Sequence, residues 1–95
     1  MEIITAKYHG TNRFITCLVV GQRGKNFDVL DTKLLPNEVV TFVRSNITKL
    51  SDQDIVTVIR GMYVQAWKSA FRSLSPDKIE VLSRLEIKPD QKIEA

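Results

Sequence analysis

The chain has 95 residues, of which 43% are hydrophobic and 26% are charged, and its formal net charge is +3. These values are typical of one globular domain, and they exclude a disordered tail, a collagen-like repeat and, with one cysteine in the chain, a disulfide scaffold. The charge is spread out, since residues 1–35 and residues 36–74 each hold five basic and three acidic groups. This charge distribution permits a nucleic-acid partner but does not indicate one.

The lone cysteine and the short apolar runs indicate the cellular compartment that we expect for the chain. Cys17 has no second cysteine to pair with, which favours a reducing, cytoplasmic compartment. The apolar start at residues 1–5 is interrupted by Lys7 and is too short for a secretory signal. The longest apolar run covers residues 17–20, far below the roughly 20 residues of a membrane span. We therefore expect no membrane partner.

The first third of the chain predicts three antiparallel strands. Residues 3–8 are followed by the turn formers 9–12, and residues 14–20 are apolar on both alternating faces, as in a central strand. Gly21 and Gly24 suit a hairpin connection because glycine adopts positive φ readily. Residues 27–31 then form a returning strand.

The segment at 36–50 fits two structures. It is rich in β-branched residues, which favours a fourth strand. On a helix, however, its apolar residues fall within about 160° of arc, and Pro36 suits the first turn. Helix is the favoured interpretation, and strand stays open.

Residues 52–74 predict one long helix. Ser51 is a suitable N-cap, and Asp52 and Asp54 suit the positive end of the helix dipole. Such a helix is about 34 Å long. A domain of this size is only about 30 Å across, so the helix would span the domain or project from it.

The sequence thus predicts an α+β fold: a small N-terminal antiparallel sheet of three strands, or four, followed by two or three helices. Ser75 and Pro76 predict the start of a further short helix with Ile79 and Leu82 on its apolar face. Residues 1–88 form the single domain, and residues 89–95 are expected to be a flexible tail.

Conventional catalytic residues are scarce. His9 lies at a turn, and Cys17 lies in an apolar strand where burial would raise the pKa of its thiol. One histidine and one cysteine are too few for a transition-metal site. The segment at 21–25 lacks the spacing of a phosphate-binding loop. We therefore expect no catalytic residue, metal or cofactor, and a protein that is not an enzyme.

The long helix offers the main candidate surface. Its apolar arc covers about 240°, wider than one core contact requires. A second line of side chains recurs at helical spacing, and Trp, Phe and Arg are enriched at interface hot spots; the line consists of Arg60, Val64, Trp67 and Phe71. These residues fit a buried central helix or an interface, and we predict the interface.

A basic hairpin is the alternative surface. A basic β-ribbon can lie along phosphates or enter a major groove, and the candidate residues are Lys7, Arg13, Arg23 and Lys25. A solvated turn is the simpler explanation of this tip.

The leading functional hypothesis is a small protein-binding module that acts on a larger protein as inhibitor, adaptor or assembly factor. A second copy of the chain is a further expected partner. The alternative hypothesis is a nucleic-acid-binding regulator that uses the hairpin as a dimer. Short modulators encoded by mobile elements such as phages have this profile.

Overall fold

A computed structural model describes residues 1–88 and contains five strands and three α-helices in that range. Their bounds, in chain order, are β1 Glu2–Tyr8, β2 Phe14–Arg23, β3 Asn26–Asp31, α1 Asn37–Asn46, α2 Asp52–Met62, α3 Val64–Ala70, β4 Phe71–Leu74 and β5 Ile79–Glu86. A short 3-10 helix, Thr32–Leu34, links β3 to α1. The predicted α+β class is confirmed. The predicted tail at 89–95 lies outside the described residues.

The N-terminal meander forms as its sequence pattern predicts. β1 pairs with β2 and β2 with β3, both antiparallel. Gly24 turns the β2–β3 hairpin with φ of 59°, a backbone conformation that favours glycine. The favoured helix within 36–50 is confirmed as α1, which buries Val39 and Val43 four residues apart on one face.

The single long helix predicted at 52–74 is wrong. α2 begins as expected, with the Ser51 hydroxyl accepting a hydrogen bond from the Asp54 N–H at 3.1 Å. It ends before Tyr63, which leaves the helical region with φ −113° and ψ 46°. A second short helix, α3, ends at Ala70, and Phe71 is already extended. The chain leaves the helix here because Phe71–Leu74 pairs with the free edge of β3.

The short helix predicted after Ser75 is also wrong. Ser75 forms a tight turn instead, in which its carbonyl accepts from the Lys78 N–H at 2.9 Å and its hydroxyl accepts from the Asp77 N–H at 3.2 Å. The next residues form β5, which pairs antiparallel with β1. The sheet therefore has five strands, not three or four.

The strand order makes the sheet curl. The order is β4-β3-β2-β1-β5, so β4 and β5 occupy opposite edges. In a flat sheet these edges would lie about 19 Å apart, at roughly 4.8 Å per strand spacing. Yet the turn at 75–78 joins them, and a turn of this kind brings its ends within about 7 Å. The turn also links opposite ends of the strands, because Leu74 pairs with Phe27 beside the β2–β3 hairpin whereas Ile79 pairs with Tyr8 beside the β1–β2 turn. The sheet must therefore curl strongly to bring the end of β4 to the start of β5.

The curl divides the apolar side chains into two clusters. The inner core fills the concave face and includes Leu74 and Ile79 from the two edge strands, together with Ile4, Ala6, Ile15, Cys17, Phe27 and Val29. The outer core lies between the opposite face and the helices; its buried members are Met1, Leu18, Leu30, Val39, Val43, Ile55, Ile59 and Ala70. In residues 1–88, no helix combines the length and apolar character needed to cross a membrane.

Candidate interaction surfaces

Cys17 is placed where a nucleophile would be ineffective. Its side chain is fully buried in the inner core. Burial, together with a smaller contribution from the charge of Asp31, raises the pKa of the thiol to about 12, although Arg72 acts in the opposite direction. The thiol therefore stays protonated at neutral pH. His9 lies in the exposed β1–β2 turn, where its backbone N–H donates to the Lys78 carbonyl at 3.0 Å.

Three of the four predicted interface residues meet in one groove. The Arg60 guanidinium lies 5.1 Å from the centroid of the Trp67 ring, and the Trp67 and Phe71 rings stack at 5.5 Å. Together with Val20, Arg23 and Asp28 they line an open groove of about 450 Å³, which we call the aromatic groove. Val64 is 38% exposed but does not line it.

The structure corrects the reason for which these residues were selected. Trp67 and Phe71 do not project on a long helix: both are half-buried and pack against the outer core. The break at Tyr63 lets α2 and α3 face the sheet separately, so the wide apolar arc does not belong to one straight helix. That these residues form an interface stays a prediction.

A larger cavity adjoins the aromatic groove. It measures about 570 Å³, and Val20 and Arg60 line both depressions. At its floor the buried Met1 ammonium lies 2.8 Å from Glu86 and 3.2 Å from Asp52. Burial acts to lower the pKa of this ammonium, but the hydrogen bonds to Glu86 and Asp52 outweigh it and leave the pKa above its usual value. The two depressions are therefore neighbours beside α2.

The four residues of the basic-hairpin hypothesis do not form one patch. Arg23 and Lys25 lie at the β2–β3 turn, whereas Lys7 and Arg13 lie at the opposite end of β2. A ten-residue strand is about 33 Å long, which separates the two pairs. Arg23 is also engaged, since its guanidinium lies 3.1 Å from the Asp28 carboxylate.

A second basic site was missed by the sequence analysis. It is a cleft of about 350 Å³ at the end of the curled sheet where β1 ends and β2 begins. We call it the mouth cleft; the polar and aromatic side chains that line it are Tyr8, Arg13, Phe14, Asp31, Lys33 and Arg72. Only Arg13 was predicted. The exposure of Phe14 is visible only in the structure, because in the sequence this residue begins an apolar strand and is expected in the core.

The β5 edge is a third surface that the sequence analysis missed. Its apolar side chains Val81, Leu82 and Leu85 are 37%, 48% and 65% exposed. Among residues 1–88 no strand pairs with the outer edge of β5. The same range contains no group of three or more His, Cys, Asp or Glu side chains arranged to hold a metal ion.

Comparison of the chain with protein-family models, with curated proteins and with solved structures found no match.

Proposed function

We propose that this chain is a small, non-enzymatic protein-binding module that acts on a larger protein as inhibitor, adaptor or assembly factor. The observation that carries the proposal is the convergence of Arg60, Trp67 and Phe71 on one open groove. A few residues carry most of the binding energy at protein interfaces, and tryptophan and arginine are enriched among them. The proposal includes a cytoplasmic location, which the unpaired Cys17 supports.

The charges of the groove indicate the chemistry of its partner. Two arginines, Arg23 and Arg60, and one carboxylate, Asp28, line it. Asp28 is already paired with Arg23, so Arg60 supplies the uncompensated positive charge within the described residues. The matching partner segment packs an apolar side chain against the stacked Trp67–Phe71 pair and places a carboxylate near Arg60.

Preorganisation supports binding at this groove. The Trp67 ring is held by the Arg60 guanidinium, by Phe71 and by the outer core. A partner therefore does not have to pay the full conformational entropy of ordering a large side chain. The adjoining cavity extends the surface beyond a single contact.

Charge reversal at Arg60 tests the proposal. Arg60→Glu places a carboxylate against the partner's carboxylate, and Arg44→Glu is the matched control because Arg44 is an exposed arginine on another helix, α1. The partner is captured from nuclease-treated lysate, purified, and titrated by calorimetry. We expect Arg60→Glu to weaken binding about 30-fold or more, the loss of about 2 kcal/mol or more that marks a hot-spot residue.

The affinity of the control variant and the circular dichroism of both variants show whether a loss of binding is specific to Arg60. Arg44→Glu should leave the affinity within about twofold, and both variants should keep the wild-type circular dichroism, since exposed charges contribute little to stability. Equal weakening by both substitutions, or none by Arg60→Glu, would show that the partner binds elsewhere on the chain.

A further inference from the structure

The mouth cleft concentrates positive charge from three separate elements. Arg13 directly precedes β2, Lys33 lies in the 3-10 helix and Arg72 lies in β4. None of the three forms an ion pair with a carboxylate in residues 1–88, where the salt bridges involve Met1, Arg23 and Arg84. A concave site lined by unpaired cations attracts anions.

The one carboxylate in the cleft has a structural role. Asp31 Oδ1 accepts a hydrogen bond from the Lys33 N–H at 3.0 Å and so caps the 3-10 helix. Arg72 is anchored as well, because its Nη1 donates to the carbonyls of Ser69 and Phe71 at 3.0 and 2.7 Å. These contacts fix the Lys33 backbone and the Arg72 guanidinium, and with three cations against the one Asp31 carboxylate the cleft keeps an excess of positive charge.

The aromatic side of the cleft is held in place by a hydrogen-bonded turn and is partly exposed to solvent. The β1–β2 turn is closed by the Tyr8 N–H, which donates to the Arg13 carbonyl at 3.0 Å, and by Thr11, whose hydroxyl donates to the Tyr8 carbonyl at 2.8 Å. The Arg13 guanidinium rests 5.4 Å from the centroid of the Tyr8 ring. The neighbouring Phe14 ring is 56% exposed. An exposed aromatic ring beside cations is the arrangement on which unpaired bases stack.

The size of the cleft selects among phosphate-bearing ligands. Its volume of about 350 Å³ is near the lower limit of ligand pockets. A duplex is recognised by elements that enter its grooves, whereas this site is a depression. We propose that the mouth cleft binds one nucleotide unit of single-stranded nucleic acid, with its phosphate on Arg13, Lys33 and Arg72 and its base on Phe14.

Fluorescence anisotropy with a labelled single-stranded oligothymidine of about ten nucleotides tests the proposal, and salt is varied to count phosphate contacts. One bound phosphate contributes about 0.7 to the salt slope of a single strand, and we expect Arg13→Ala/Lys33→Ala to remove most of that contribution. Phe14→Ala and Phe14→Leu should each weaken binding about 5- to 100-fold through loss of stacking. Phe14→Leu keeps an apolar side chain, so a loss in both variants reports the ring and not the fold.

The hairpin pair Arg23→Ala/Lys25→Ala is the matched control. It removes the same charge about 33 Å away, beyond the Debye length, and should leave the salt slope unchanged. The proposal fails if the strand does not bind at low salt or if both double variants weaken binding equally. It also fails if a duplex of the same sequence binds more tightly and is released by the hairpin substitutions. Free thymidine monophosphate should compete only weakly with the labelled strand. If the mononucleotide binds more tightly than the strand, then the cleft is a mononucleotide site and the proposal of a single-stranded ligand is wrong.

Discussion

Position within the curled sheet controls the chemistry of Cys17. Its register partners are Ile4 on β1 and Asp31 on β3, and its side chain faces the inner core. Water is excluded there, and ionisation of the thiol would place a negative charge near Asp31. A cysteine that looks like a candidate nucleophile in the sequence is thereby converted into a small packing residue.

The raised pKa of Cys17 predicts a loss of stability at high pH. Between the usual thiol pKa of 9.0 and about 12, the thiol ionises in the unfolded chain but stays protonated in the native one. The stabilisation is therefore complete below pH 9 and is lost as the pH rises, at up to about 1.4 kcal/mol of unfolding free energy per pH unit. Urea unfolding at several pH values between 8 and 11 measures it.

Cys17→Ala is the control for that titration. It lowers stability at every pH because it leaves a small cavity, but it should remove the thiol's share of the alkaline slope. The native thiol should also react with a thiol reagent only after unfolding. An identical slope in wild type and variant, or a fast native reaction, would show that the thiol is accessible.

At the scale of elements, local signals identified the meander and the first helix but not the last two strands. Residues 63–74 carry helix-compatible spacing, and Ser75 is a good helix start. Their conformation is decided by strands that are distant in sequence. β4 pairs with the free edge of β3, and β5 pairs with β1, where Glu86 lies opposite Glu2. The alternation of Ile79, Val81 and charged residues was a strand signal, and the serine-proline start obscured it.

The candidate sites also differ in how far they could be predicted from the sequence. Arg60, Trp67 and Phe71 could be grouped from sequence because helical spacing relates them, although the helix breaks between the first two. The mouth cleft could not be found from sequence, since residues 13, 33 and 72 come together only through the pairing of β2 with β3 and of β3 with β4. Long-range pairing is invisible to a periodicity argument.

The half-buried state of Trp67 leads to a prediction about α3. Trp67→Ala should lower the free energy of unfolding by about 1–3 kcal/mol, less than the 3–5 kcal/mol typical of a fully buried tryptophan. Met62→Ala is the control, because Met62 is 75% exposed and should change stability by less than about 0.5 kcal/mol. Denaturant titration followed by circular dichroism measures both. Equal and negligible effects would place the Trp67 ring in solvent and make the whole residue available to a partner.

At the scale of the molecule, the inner core depends on two strands from opposite edges of the sheet. Leu74 and Ile79 are only five positions apart, and each completes the same buried cluster from a different edge. Either the tight turn at 75–78 holds the edges together, or the packing of the inner core does so. Apolar burial is the larger of the two contributions, because a fully buried isoleucine outweighs the entropy of a short connection.

A substitution in the inner core and an insertion in the turn at 75–78 therefore distinguish the contribution of core packing from that of the short turn. Ile79→Ala should cost about 2–4 kcal/mol of unfolding free energy, since Ile79 is 3% exposed and its removal opens a cavity. Inserting about four Gly and Ser residues between Pro76 and Asp77 roughly doubles the connection and should cost only about 1 kcal/mol, from chain entropy and the lost Ser75 turn bonds. Leu82→Ala, on the same strand but 48% exposed, should be close to neutral. If the insertion proves as damaging as Ile79→Ala, then the short turn, and not the inner core, keeps the sheet curled. In that case the mouth cleft should lose its ligand affinity together with its shape.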